Sequence, residues 1–236
     1  GVVLVIGVLA AQFLRRDPTK MGLVPYGQHE EGEKGSASGA AGYTLKEATE
    51  TWQFWMLTLI FFCLGYCIFS IVVHLVPHVT DLGISATTAA NMLAVMGALG
   101  IISGVVLGGA IDKIGNRWVC AITFIMIAVS VLGLAAVTQI WMLYLLAVVY
   151  GLSSGGGAIT ESTLIVELFG MKSHGSILGV VSFAFTVGGA LGPFLTGYIF
   201  DITAGYQLAF LICVAVAAVA IIALATLRPI KRPSAL

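Results

Sequence analysis

The chain has 236 residues, of which 59% are hydrophobic and only 9% charged, with a formal net charge of zero and a mean hydropathy of +1.04. A typical soluble domain carries roughly 45–50% apolar and about 25% charged residues. A soluble globule, a disordered tail and a nucleic-acid binder are thereby excluded, and an all-α polytopic membrane protein remains.

In chain order, Gly1–Leu14 is apolar but reaches only about 21 Å as a helix. No basic segment stands before it and Arg15-Arg16-Asp17-Pro18 follows, so it reads as the end of a truncated span rather than a signal peptide. Residues 15–51 are glycine-rich, with mixed charges such as Glu30-Glu31-Gly32-Glu33-Lys34, and read as a linker. Its last part, Tyr43–Ala48, is expected to form a short surface helix leading into Trp52.

Residues 52–228 then hold six apolar runs, near Phe54–Val76, Ala89–Ile111, Val119–Val137, Met142–Val166, Ile177–Phe200 and Leu208–Leu227. Each is close to the roughly 20 residues that cross about 30 Å of hydrocarbon as a helix. Alternating ten-residue barrel strands are not seen. Residues 229–236 make a short tail.

All 11 Lys and Arg residues fall on one side of such a six-span arrangement. The positive-inside rule makes that side cytoplasmic, so linker and tail are expected in the cytoplasm of an integral, plasma (inner) membrane protein. Trp52, Trp55 and Trp118 mark the cytoplasmic interface, and Trp141, Tyr144, Tyr198 and Tyr206 the outer one. Cys63, Cys67, Cys120 and Cys213 lie in or beside apolar runs and read as small core hydrophobes.

Glycine recurs inside the spans. Gly100, Gly104 and Gly108 share one line, and Gly151/Gly155 and Gly188/Gly192 are four-residue pairs. Small residues at this spacing let helix backbones meet closely in lipid. Static packing and helix sliding are both open readings. Pro193 permits a kink in the fifth span.

Two spans carry polar stripes about 60° wide. One is Cys63, Cys67, Ser70 and His74, with Tyr66 at its edge; the other is Tyr150, Ser154, Gly157 and Glu161. Glu161 is the one acid well inside a span, which makes it a candidate proton carrier or a structural carboxyl. His74-x-x-x-His78 has ligand spacing, but Pro77 interrupts it and a third ligand is missing, so no metal is expected. Paired catalytic acids, an activated nucleophile and a phosphate loop are also missing. Neither an enzyme nor a cofactor is expected.

Between the second and third spans stands Gly108-Gly109-Ala110-Ile111-Asp112-Lys113-Ile114-Gly115-Asn116-Arg117. It resembles the signature loop of the major facilitator superfamily, G-x-L-A-D-[RK]-x-G-[RK]-[RK], departing at Ala110, Ile111 and Asn116. Asp112 is expected to end the helix. Gly188-x-x-x-Gly192-Pro193-x-x-x-Gly197 resembles that family's span eleven. The resemblance implies the six-helix C-terminal bundle of a twelve-span fold, preceded by the end of span six and the central linker. It also implies an absent N-terminal six-span half as partner, beside the lipid bilayer and a small-molecule solute.

Arg15-Arg16-Asp17-Pro18, the Met21–Gly27 run, Glu167-Leu168-Phe169-Gly170 and Gly197–Asp201 look like monocarboxylate and oxalate/formate-type carriers. The implied activity is secondary transport of a small organic anion, with proton or anion coupling, by alternating access. Tyr66, Ser70, His74, Tyr150, Ser154 and Glu161 would then line the solute or proton pathway. Gly108, Asp112, Lys113, Gly115 and Arg117 would form a cytoplasmic gate, and Gly188, Gly192 and Pro193 would serve packing. One departure matters: the second and fifth spans lack the Arg or Lys that carriers of small anions in this group usually place there. An exporter of amphipathic compounds and, more remotely, a non-transporting sensor are the rival readings.

Overall fold

A computed structural model describes residues 42–137 and 139–227. The expected stub 1–14, the linker up to residue 41 and the tail from residue 228 lie outside the described residues. Seven helices are present among those described: α1 Leu45–Thr49, α2 Trp52–Asp81, α3 Ala86–Ile114, α4 Asn116–Ala135, α5 Ile140–Phe169, α6 His174–Thr203 and α7 Gln207–Thr226. Helices α2 to α7 are each long and apolar enough to cross a membrane.

Every expected span lies on one of these helices, but the longer helices overrun the apolar runs at both ends. Helix α2, with 30 residues, extends about 45 Å, so its ends stand among lipid headgroups rather than in hydrocarbon. Two expectations about helix ends are corrected. Helix α2 continues through Pro77 to Asp81, and α3 runs past Asp112 to Ile114. What stops α3 is Gly115, whose φ of 85° suits a residue without Cβ. Helix α6 likewise stays helical across Pro193.

Local sequence explains the starts. Thr51 Oγ1 accepts from the Phe54 amide and Ser85 Oγ from the Thr88 amide, capping α2 and α3. The short α1 carries a complete capping box: Thr44 Oγ1 accepts from the Glu47 amide, and Glu47 Oε2 from the Thr44 amide at 2.7 Å. Those Thr44 hydrogen bonds hold the Glu47 carboxyl below its ordinary value.

Just before α1, the chain is tied down. Gly42 forms an isolated antiparallel bridge with Gly170, and the Tyr43 amide donates to the Phe169 carbonyl at 2.8 Å. The Tyr43 ring meets Phe169 edge-on, and Ala48 is fully buried. The expected surface helix is present, strapped across the junction of α5 and α6.

Glycine decides how the long helices pair. Helix α2 packs most extensively on α6, and α3 on α5, while α4 lies against α5 and α7. A Cβ on Gly188 would run into the Phe62 carbonyl, one on Gly192 into the Tyr66 carbonyl, and one on Gly65 into the Phe185 carbonyl. Gly155 stands in the same relation to the Gly100 carbonyl and the Gly104 amide. These seams are backbone against backbone, as small-residue packing in lipid requires. The α2–α7 side is filled instead by buried side chains, including Cys67, Ile71, Phe210 and Cys213. All four cysteines are free and buried.

Hydroxyls in the spans are mostly turned back on their own helices. Thr58, Ser70, Ser130, Thr160 and Thr186 each donate to the carbonyl four residues earlier. Thr163 and Ser182 are different: their hydroxyls cross to other helices.

Candidate functional site

The polar stripe of α2 faces into the bundle. Tyr66 and Ser70 are both buried; Ser70 Oγ donates to the Tyr66 carbonyl at 2.7 Å, and the Cys67 thiol donates to the Cys213 carbonyl at 3.5 Å. Tyr150 on α5 is buried too, and its hydroxyl donates to the Ile68 carbonyl of α2 at 2.8 Å. In this arrangement Tyr66, Ser70 and Tyr150 are closed off from solvent. Helical spacing identifies a face but not its neighbour, and here the glycines of α6 bring that helix onto α2.

His74 is half-buried near the far end of α2. Its Nε2 lies 2.9 Å from the Pro193 carbonyl of α6, and its ring packs on Tyr206. His78 meets the Leu134 carbonyl of α4 at 3.2 Å through Nε2. The two imidazoles therefore join different helices, and among the described residues no group of three metal-binding side chains exists.

Glu161 and Ser154 are the half-buried members of the α5 stripe. Glu161 Oε1 accepts from Ser182 Oγ of α6 at 2.6 Å. This bond crosses a seam where α5 and α6 touch only lightly, with Ala158 and Phe183 exposed nearby in sequence. A carboxyl in such a place can exchange its proton and change partners without unpacking a core. Ser154 Oγ donates to the Gly151 carbonyl at 2.8 Å and lies against Gly100 of α3. Gly157 packs on Leu64 of α2.

In the loop segment, Gly108 lies near Ile159, while Asp112 and Lys113 are exposed. Arg117 Nη2 donates to the Leu224 and Ala225 carbonyls at 2.9 and 3.2 Å, holding the last turn of α7. Asn116, a departure from the family pattern, is a tether. Its Nδ2 donates to Glu167 Oε2 at 2.7 Å, and its Oδ1 accepts from Thr163 Oγ1 at 2.6 Å. Sequence reasoning missed this role for Asn116, and missed Ser182 altogether. For Ser182 no local signal was available, since Ser176, Thr186 and Thr196 share its helix.

Six spanning helices joined by glycine seams, with one carboxyl facing a loosely packed seam, define an integral membrane protein of carrier-like architecture. Residues 57–236 match the profile of the Major Facilitator Superfamily. The chain belongs to that family.

Monocarboxylate transporter 13 of Rattus norvegicus is 32% identical over 147 residues, covering 59% of this chain and 33% of the relative. Monocarboxylate transporter 7 of Homo sapiens is 28% identical over 176 residues, covering 73% and 33%. The uncharacterized MFS-type transporter YcxA of Bacillus subtilis is 27% identical over 193 residues, covering 74% and 46%. The chain thus spans a third to under half the length of these curated relatives.

Proposed function

We propose that the chain is the C-terminal half of a secondary transporter that moves a small organic solute, a monocarboxylate-type anion, coupled to protons by alternating access. The observation that carries this reading is the Glu161–Ser182 hydrogen bond across the open α5–α6 seam. An intramembrane carboxyl with an exchangeable neutral partner suits proton exchange. Ser154 and His74 are the other half-buried polar groups of the pathway. Tyr66, Ser70 and Tyr150 join it when the helices around them separate. The names of the relatives support the substrate class.

The α1 end lies in the cytoplasm of a cell whose plasma membrane holds the protein, because every basic residue falls on that side. A second six-span half covers α3 and α6, the least buried spans, on which Ile101, Val105, Phe183 and Phe194 are exposed.

Full-length protein in liposomes loaded with a pH dye tests the reading. Addition of small monocarboxylates is expected to drive solute-dependent proton entry. Folded protein that moves no protons with any acid, yet is competed by lipophilic cations, points to export of amphipathic compounds. That second reading is favoured by the lack of Lys and Arg in Ala89–Ile111 and Ile177–Phe200.

The loop segment supplies a separate expectation. Asp112→Asn should slow turnover several-fold at unchanged protein level, by loosening the closed cytoplasmic gate that Asp112 and Lys113 form. Flux assays at saturating solute measure it; unaltered turnover removes the loop from the mechanism.

A further inference from the structure

Helix α6 opens at His174, at the end of the bundle where α1 touches it. The residue is half-buried. Its imidazole reaches across to α5, where Nε2 lies 3.3 Å from Ser162 Oγ. Nδ1 is buried and meets no hydrogen-bond partner among the described residues.

Ser162 stands about 10 Å inside the end of α5, since that helix runs on to Phe169. It directly follows Glu161, the carboxyl that accepts from Ser182. Ser182 in turn lies about 12 Å beyond His174 along α6. The imidazole therefore stands in the seam between that carboxyl and the α1 end.

Helix α6 packs on α2, α5, α7 and α1. Helix α7 has no Asp, Glu, Lys, Arg or His, and α2 has none before His74. The charged groups toward His174 are Glu161 and Glu167 of α5, Lys46, Glu47 and Glu50 at α1, and Lys172 just before α6. All but Glu161 are exposed, and Lys172 attracts Glu47. Glu161 is thus the one acid here that needs a carrier to reach water.

We propose that His174 passes protons between Glu161 and the cytoplasm, with Ser162 holding the ring in place. The inference rests on the proton coupling proposed above and adds its route. Glu161 gives its proton to the neutral imidazole, through water entering the lightly packed seam as it opens. The imidazolium then gives a proton to water at the α1 end. Imidazole suits the step because it changes charge near neutral pH. Its two nitrogens let one hold a hydroxyl while the other takes the proton.

Full-length protein in liposomes tests the route, with uptake of labelled lactate, pyruvate and formate driven by a pH gradient. His174→Ala and His174→Gln should each slow this uptake about tenfold, while solute-for-solute exchange keeps its rate. Gln still offers Ser162 a hydrogen-bonding side chain, so a merely structural His174 would tolerate it. Imidazole equilibrated on both sides should restore uptake in the Ala variant, where the ring has left space. Unaltered uptake in both variants overturns the relay and leaves the role of Glu161 standing. Normal uptake in the Gln variant alone, equal loss of uptake and exchange, or no restoration by imidazole each makes His174 structural and overturns it. An unaltered protein that takes up none of the three acids under the gradient overturns the coupling and the relay together.

Discussion

Gly188→Leu is expected to yield almost no folded bundle. The new Cβ alone would strike the Phe62 carbonyl and press on the Tyr66 amide, and neither is a side chain that can turn aside. Overpacking a close-packed site costs about 1–3 kcal/mol even where side chains can adjust. Here α2 and α6 must separate along their whole contact, so the cost should exceed that range. Gly179→Leu, on the same helix with nothing within 4 Å of the added Cβ, is the matched control. The monodisperse fraction after detergent extraction and its melting temperature measure the pair. If both variants behave alike, the backbone seam is not what holds these helices.

The second large effect concerns transport. Glu161→Gln keeps an acceptor for the Ser182 hydroxyl, so the α5–α6 contact should survive while the exchangeable proton is lost. Proton-coupled net flux is expected to fall at least about tenfold, and its pH dependence should flatten. Exchange of solute for solute, which needs no proton release, should persist. Normal pH-dependent net flux in a well-expressed variant would falsify the proton role of Glu161. Ser182→Ala should have a smaller effect, because it removes one partner and leaves the carboxyl.

The six spans were legible because apolar length and helical period are local properties, and a 20-residue apolar run has few alternatives. Helix ends were less so. Pro77 signals a break on propensity, yet the residues beyond it stay helical to Asp81, with Thr80 Oγ1 donating to the Val76 carbonyl. The glycine seams were visible as spacings, but which helix each seam meets was not. That is a property of the assembled bundle, and it is why the Tyr66 and Ser70 face lies inside. Asn116 shows a related limit. Its side chain joins Glu167, 51 residues away, and spacing within one segment carries no trace of such a bond.

The back-bonded hydroxyls bear on how the bundle comes together. A serine or threonine that already satisfies itself on its own helix enters the hydrocarbon with little polar debt, so each span can partition by itself before it has neighbours. Nothing then remains in those hydroxyls to steer one helix toward another, and shape alone must sort the partners. Ser182 and Thr163 are exceptions: the Ser182 bond exists only after α5 and α6 have met. Assembly of that pair and readiness of the carboxyl are therefore the same event.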